Sequence, residues 1–238
     1  MAETVHNIEP ANGAPEGAHQ LKNELQKSAE ERAVLTKLES LYPPDQQTTL
    51  IKQGEGSDAA EVILCGSEQA PPQLLEAVQN ATSRLEAVFG TSLDKAMPGL
   101  KVYVADGVIE GGGLALGKQN AVIVDRQKGL LSVQDAETTT VELGFLNPGD
   151  WTRLSGESGA SLVAETNLVH EVGHILDERV HGHSSTPTFE GEAPTRYGDS
   201  APQEDYAESF LYYAYGKKLA GNRSKVIADD INKNYGVE

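Results

Sequence analysis

The stretch VHEVGHILDERVHG, from Val169 to Gly182, constrains the fold more strongly than any other part of the chain. It contains His170 and His174, four positions apart, with Glu171 directly after the first histidine. Side chains at this spacing share one face of an α-helix, with their Cβ atoms about 5–6 Å apart. Apolar residues surround them, namely Leu168, Val172, Ile175, Leu176 and Val180. The stretch therefore predicts a buried helix that directs two imidazoles toward one point.

Two imidazoles in this arrangement can bind one tetrahedral Zn²⁺ ion, with Glu171 beside the metal. Glu171 can then accept a proton from a metal-bound water and generate the nucleophile for hydrolysis of an amide. The alternative is a helix that is rich in histidine for another reason, because four of the six histidines of the chain lie between positions 170 and 183. The position of a third ligand separates these interpretations.

The residues that follow His174 on the same helix are poor candidates for that ligand. A metzincin would carry a glycine three residues after His174 and a histidine three residues further, where this chain has Asp177 and Val180. His181 lies two turns beyond His174, too far to reach the same ion. We expect His181 to interact with the helix end or to be exposed, and His183 to be exposed in the next loop. Asp177 can brace a ligand, but a surface carboxylate is the simpler expectation.

The best candidate lies in the segment PQEDYAESF, which predicts a second helix. Glu204 falls in its first turn, and Glu208 follows one turn later on the same face. A glutamate ligand from a second helix is the gluzincin arrangement, in which Glu208 can accept a hydrogen bond from the outer nitrogen of a zinc-bound histidine. Asp205 is the alternative ligand if the register differs by one residue, and acidic residues also favour helix N-termini in general.

The segments HEVGHILD, TRYG and PQEDYAESF resemble the catalytic domain of anthrax lethal factor and the Pro-Pro endopeptidases, over roughly residues 160–215. The resemblance implies a zincin-like fold and a zinc-dependent endopeptidase. Asp205 departs from the pattern, because these relatives carry an aromatic residue there. The implied roles are zinc ligands for His170, His174 and Glu204, general base for Glu171, oxyanion donor for Tyr197, and the second acidic residue of the helix pattern for Glu208.

The rest of the chain predicts an α+β fold. Apolar runs at 60–65, 100–105, 120–125 and, more weakly, 140–146 indicate strands of a small mixed sheet. The glycine-rich segment 107–119 indicates a loop or a bulged strand. Helices are expected at about 19–40 and 74–89. In the second half only helices are expected, at about 158–181, from about 202, and at 222–234. The helix at 158–181 has an expected N-cap at Ser158 or Ser161 and an expected stop at Gly182. The helix from about 202 has an expected capping box of Ser200 and Gln203, with Pro202 in its first turn.

These elements suggest one domain after a flexible tail. Residues 1–17 are the expected tail, and residues 18–238 form a zincin-like domain with an α/β half (about 18–150) and a helical half (about 151–238). The active-site cleft is expected between the halves. A strand near 110–125 can bind an extended substrate by β-augmentation. The glycines at 111–113 indicate either a lid or a simple turn.

Composition excludes several classes of function. The formal net charge is -17, from 36 acidic and 19 basic residues, which disfavours nucleic acids and anionic membranes as partners. No apolar run reaches the roughly 18 residues of a membrane span. The N-terminus lacks a signal-peptide pattern, so we expect either a cytoplasmic protein or a secreted one that is leaderless or already processed. Cys65, the single cysteine, is expected in the core.

The sequence thus predicts a zinc endopeptidase that acts on a peptide or protein substrate in extended form. The alternative is a catalytically silent zinc-binding protein of the same fold that serves as a binding module.

Overall fold

The computed structural model describes residues 16–66, 72–126, 160–182, 185–195 and 197–235. These ranges form a mixed α+β fold with a five-stranded mixed sheet and six α-helices. The strands are β1 (Gln47–Gln53), β2 (Ala60–Cys65), β3 (Lys101–Ala105), β4 (Gly113–Leu116) and β5 (Ala121–Asp125). The helices are α1 (Glu16–Leu41), α2 (Pro72–Phe89), α3 (Leu93–Ala96), α4 (Ala160–His181), α5 (Pro202–Ala214) and α6 (Arg223–Tyr235). Short 3₁₀ turns occupy Pro44–Gln46, Gly56–Asp58, Gly117–Gln119 and Gly198–Ser200.

The strand order in the sheet is β1-β2-β3-β5-β4. The three central strands β2, β3 and β5 are parallel, while β1 and β4 pair antiparallel at the two edges. The central strands are almost entirely apolar because parallel strands are covered on both faces. Because the short strand β4 is last in this order and pairs with β5 alone, it is an edge strand of the described sheet. Its outer side faces away from β5.

Helices cover both faces of this sheet. Alternate strand residues point to opposite faces, so Val62 and Val102 pack in one apolar cluster with α2, α4 and α5. Ile63 and Cys65 point the other way and pack in a second cluster with Leu38 of α1. Helix α4 is thus a core element, and α1 lies across the opposite face.

The predictions for the strands are largely confirmed. The apolar runs at 60–65, 100–105 and 120–125 form β2, β3 and β5, and Cys65 is buried as expected. The glycine-rich segment 107–119 contains both a loop and the short strand β4, which pairs with β5 without a bulge. The run at 140–146 lies outside the described residues. Strand β1 was not predicted, because QTTLIKQ is mostly polar and half-exposed.

The presence of the helices was predicted better than the residues at which they begin and end. Helix α2 has the expected bounds, and Gly182 ends α4 in the left-handed conformation with φ +70°. Ser161 lies inside α4, so it is not the N-cap, and Ser158 lies outside the described residues. The capping box at Ser200 was wrong, because Ser200 completes a 3₁₀ turn and Ala201 is the N-cap of α5, without a side-chain bond.

The first helix is longer than expected. It begins at Glu16, two residues inside the segment expected to be a tail, and residues 1–15 lie outside the described part of the chain. Among the described helices, none combines the length and the apolar character that a membrane span requires.

Helices α4 and α5 approach each other closely at Gly173, between the two histidines of the motif. A Cβ at this position would lie 3.1 Å from the Ala207 Cα and 3.1 Å from the Phe210 Cδ1, closer than ordinary van der Waals contact. A side chain at this position would force its neighbours on α5 to shift by a few tenths of an ångström, which glycine avoids.

We predict that Gly173→Ala lowers the free energy of unfolding by about 1–3 kcal/mol, because the added methyl group overpacks the contact between α4 and α5. Urea unfolding followed by circular dichroism measures this change. Gly111→Ala is the matched control, since its Cβ would meet only an ordinary contact at 3.6 Å. An equal effect of both substitutions would contradict the explanation.

Candidate metal centre

Two helices bring His170, His174 and Glu204 together. Helix α4 carries both histidines on the face that meets the first turn of α5, where Glu204 lies. The Nε2 atoms of His170 and His174 are 3.1 Å apart. The Glu204 Oε2 lies 3.3 Å from the His170 Nε2 and 3.2 Å from the His174 Nε2. Among the described residues, this is the group with metal-ligand chemistry and spacing.

The distances between these three atoms fit a metal ion. Ligand atoms about 2.0–2.1 Å from a tetrahedral zinc ion are separated from one another by about 3.3–3.4 Å. The observed separations of 3.1–3.3 Å are close to this value. Two nitrogens and one carboxylate oxygen are also a ligand set that divalent transition metals accept. The cluster could therefore hold a metal ion without rearrangement of its side chains.

The electrostatics of the cluster favour a positive charge at this point. Burial alone would lower the pKa of His170, but hydrogen bonds to Glu204 and Glu208 and the nearby negative charges raise it to about 10. Burial alone would raise the pKa of Glu204, but the hydrogen bonds and charges of His170 and His174 hold it well below its ordinary value. A proton supplies part of the positive charge that the carboxylates favour here, and a divalent cation would supply more of it.

Glu208 holds His170 from the side away from Glu204. Its Oε1 lies 2.8 Å from the His170 Nδ1, and the Glu208 side chain is fully buried. Its Oε2 accepts a hydrogen bond from the Thr195 hydroxyl at 2.7 Å, and the N–H of Gly198 donates to that hydroxyl at 3.1 Å. Glu208 thus fixes the orientation of the imidazole and links it to the segment that carries Tyr197.

Glu171 lies against the edge strand β4. It is buried, and the N–H of Ala115 donates a hydrogen bond to its carboxylate. A Cβ on Gly113 would lie 2.8 Å from the Glu171 Cγ, so only glycine leaves room for this side chain. Burial raises the pKa of Glu171, while the charges of His170 and His174 oppose that shift. A raised pKa brings a carboxylate closer to the range in which it exchanges protons at neutral pH.

Tyr197 lies at the same cluster. Its ring centroid is 6.0 Å from that of His170, and its hydroxyl is hydrogen-bonded to the Glu204 carboxylate. Burial and then the charge of Glu204 raise the pKa of the phenol above its usual range. Tyr197 therefore keeps its proton at neutral pH and can act as a hydrogen-bond donor.

Asp205 points away from the cluster. Its carboxylate accepts two hydrogen bonds from Arg223, at 2.9 Å to Nε and 2.7 Å to Nη2. The Arg223 side chain is 1% exposed and also donates to the backbone carbonyls of Glu190 and Gly191. This pairing anchors the first turn of α5 at the position where the relatives carry an aromatic residue.

Two expectations for the end of α4 were wrong. Asp177 is not a surface carboxylate but is 3% exposed, because the segment after α4 folds back and Thr186 donates to it at 2.6 Å. His181 is not simply exposed, since its Nε2 lies 2.9 Å from the Asp230 Oδ2 of α6. His183 lies outside the described residues.

A cavity of about 340 Å³ opens beside the cluster and gives access to it. Its walls include Glu171 and His174 of α4, Glu204 of α5, and residues of β4. Lys27 of α1 also reaches this cavity. The roles of Thr195, Gly113 and Lys27 could not be predicted from sequence patterns, since each acts through a contact that is distant in sequence.

Comparisons of the chain with protein-family models, with curated proteins and with solved structures found no match. The interpretation of the cluster therefore depends on the geometry described above and on the resemblance of the motifs.

We predict that Glu208→Gln weakens the binding of Zn²⁺ by about tenfold or more, because the amide makes the His170 imidazole a less basic ligand. A competition titration against a fluorescent zinc chelator measures the dissociation constant. Glu192→Gln, at an exposed position, is the control and is expected to change the constant less than twofold. Unchanged affinity in Glu208→Gln would contradict the role assigned to this carboxylate.

We predict a pH-dependent cost of stability at Asp177. Burial raises its pKa to about 6 from 3.8, so the folded state holds the proton more tightly than the unfolded chain does. Ionisation therefore destabilises the fold as the pH rises from about 4 to about 6, by roughly 2–3 kcal/mol in total. Urea unfolding in the presence of a chelator should show Asp177→Asn gaining on the wild type between pH 4 and pH 7. A difference that is independent of pH would contradict this.

Proposed function

We propose that this protein is a zinc-dependent endopeptidase of the gluzincin type, with a zincin-like fold related to the family that its motifs resemble. The observation that carries the proposal is the position of Glu171. Its carboxylate lines the same cavity as His174 and Glu204 and interacts electrostatically with all three residues of the cluster. A metal-binding cluster with a structural role alone has no need for an additional buried carboxylate on its open side.

The chemistry of the ligands supports zinc as the metal. His170, His174 and Glu204 supply two imidazoles and one carboxylate, a ligand set typical of catalytic zinc sites that keep one position for water or substrate. The cavity beside the cluster supplies the access that such a site requires. When bound, the zinc ion would polarise the scissile carbonyl and lower the pKa of a water molecule.

The residues of the chain then have separate roles. Glu171 accepts a proton from the attacking water and delivers it to the leaving amine, and its contact with Gly113 and the Ala115 N–H fixes the carboxylate for this transfer. Tyr197 keeps its phenolic proton and donates a hydrogen bond to the oxyanion that develops on the carbonyl. Glu208 keeps the His170 ring in place.

The substrate is proposed to be a peptide or a protein segment in extended form. Strand β4 is an edge strand next to the cluster, and its Gly113, Leu114 and Ala115 line the cavity. A peptide that adds to this edge gains main-chain hydrogen bonds and passes directly over Glu171. This binding mode depends little on the side chains of the substrate, so specificity must come from the walls of the groove.

We predict that three substitutions separate metal binding from catalysis. Glu171→Gln keeps about one zinc per chain but loses peptide cleavage by 10²-fold or more, since the general base is absent. Tyr197→Phe also keeps the metal and lowers kcat by about 10²-fold. His174→Ala loses both the metal and the activity. Elemental analysis and cleavage profiling of a peptide library by mass spectrometry, with and without a chelator, provide the measurements.

The outcomes distinguish the proposal from its alternatives. Metal that is retained in a protein that cleaves no peptide would indicate a catalytically silent binding module. A protein that contains no zinc, or full activity in His174→Ala, would contradict the metallopeptidase assignment.

A further inference from the structure

Helix α1 extends past the outer edge of β4. Its C-terminal half packs on the sheet, where Leu38 lies in one apolar cluster with Leu116 and Ile123. Its N-terminal half passes the edge and contacts α4 on the far side, since the Lys27 Nζ lies 2.5 Å from the Glu178 Oε2. The outer edge of β4 therefore lies between α1 and α4.

A second cavity, of about 540 Å³, lies between α1 and β4. Leu114 and Ala115 of β4 and Lys27 of α1 line both this cavity and the one at the metal cluster. The two cavities thus adjoin along the edge of β4. We refer to the two cavities together as the groove, in which the metal cluster is next to Gly113 and the second cavity extends to Leu116.

The pleat of an added strand distributes its side chains between the two cavities. Successive side chains of a strand point to opposite faces of the sheet. In β4, Leu114 and Leu116 face α1, whereas Ala115 packs with the cluster that contains α4. A substrate strand beside β4 would follow the same alternation, so every second side chain would enter the cavity under α1.

The wall that α1 contributes to this cavity carries two carboxylates, those of Glu30 and Glu31, and one ammonium group, that of Lys27. Glu31 is 5% exposed, and its Oε2 accepts a hydrogen bond from the Gln119 N–H at 3.2 Å. Its Oε1 has no hydrogen-bond partner among the described residues, and the Lys27 Nζ is 3.9 Å from it. Lys27 itself is held at 2.5 Å by Glu178. Glu30 adds a second carboxylate at the exposed rim.

Lys27, 3.9 Å from the Glu31 Oε1 and paired more closely with Glu178, compensates the charge of Glu31 only in part. Burial raises the pKa of Glu31 above its ordinary value, which shows that its surroundings compensate the ionised form incompletely. A guanidinium or ammonium group that enters the cavity would supply the missing charge and the missing hydrogen bond. The net charge of -17 further favours basic partners over acidic ones.

We propose that the cavity between α1 and β4 is a specificity subsite that takes a Lys or Arg side chain of the substrate, with Glu31 as its acceptor. The inference deepens the proposed function and depends on it for the position of the scissile bond. At about 3.3 Å per strand residue, Leu116 is roughly 10 Å from Gly113. The basic side chain therefore lies two or three residues from the bond that is cut.

Cleavage profiling of a random decapeptide library tests the subsite. The wild type should enrich Lys and Arg over Gln at one position two or three residues from the cleaved bond. Glu31→Gln should reduce kcat/KM about tenfold for peptides with the basic residue and change it less than twofold for matched peptides with Gln there. Glu39→Gln, at an exposed position of the same helix, should leave both values unchanged.

The result that would overturn the proposal is an absence of basic preference in the wild type, or an equal loss for basic and neutral peptides in Glu31→Gln. A binding experiment keeps the test independent of turnover. Zinc-loaded Glu171→Gln should bind a fluorescent Lys-containing decapeptide more tightly than its Gln counterpart, and adding Glu31→Gln should remove that difference. Basic preference in binding with no cleavage by the wild type would support the subsite while contradicting the endopeptidase; equal binding of the two peptides would contradict the subsite itself.

Discussion

His170 and Glu208 face each other in a part of the core that solvent does not reach, with 1% and 0% of their surfaces exposed. An ionised carboxylate in such a place is costly unless it is paired and hydrogen-bonded. Glu208 meets this condition through His170 on one oxygen and Thr195 on the other. Because the imidazole is held through Nδ1, its Nε2 must face His174 and Glu204. The geometry of the candidate metal cluster thus depends on a buried pair of which only His170 belongs to the cluster.

Close approach of backbones is the second requirement, and glycine provides it at three contacts. Gly173 lets α5 approach α4 near enough for Glu204 and Glu208 to reach the histidines. Gly113 lets Glu171 lie against β4, and a Cβ on Gly117 would lie 2.7 Å from the Glu178 Cβ. A larger residue at any of these positions would push α4 away from a neighbour. The motif on α4 therefore depends on residues of the sheet and of α5 as much as on its own spacing.

Sequence patterns predicted the helices and strands and the members of the cluster better than they predicted the long-range hydrogen bonds that hold these residues. The spacing of His170 and His174 predicts a helix, and the pattern around Glu204 and Glu208 indicates a second helix, so their meeting could be anticipated. The burial of Asp177 and its hydrogen bond from Thr186 could not be predicted, because the path of an irregular segment leaves no periodic pattern in the sequence. The same holds for Arg223, whose bonds to Asp205 and to two backbone carbonyls depend on tertiary structure alone.

The ion pairs of Glu178 connect α1 to the electrostatics of the groove. Lys27 and Lys118 lie 2.5 Å and 2.8 Å from its two oxygens and hold its pKa below the ordinary value, although burial alone would raise it. The negative charge of Glu178 also acts to raise the pKa of both Asp177 and Glu31. Lifting α1 from β4 would remove Lys27 and leave that charge less compensated at a buried position, which is unfavourable. Helix α1 is therefore held against β4 as one wall of the groove, and a substrate bound in the proposed mode would lie between them.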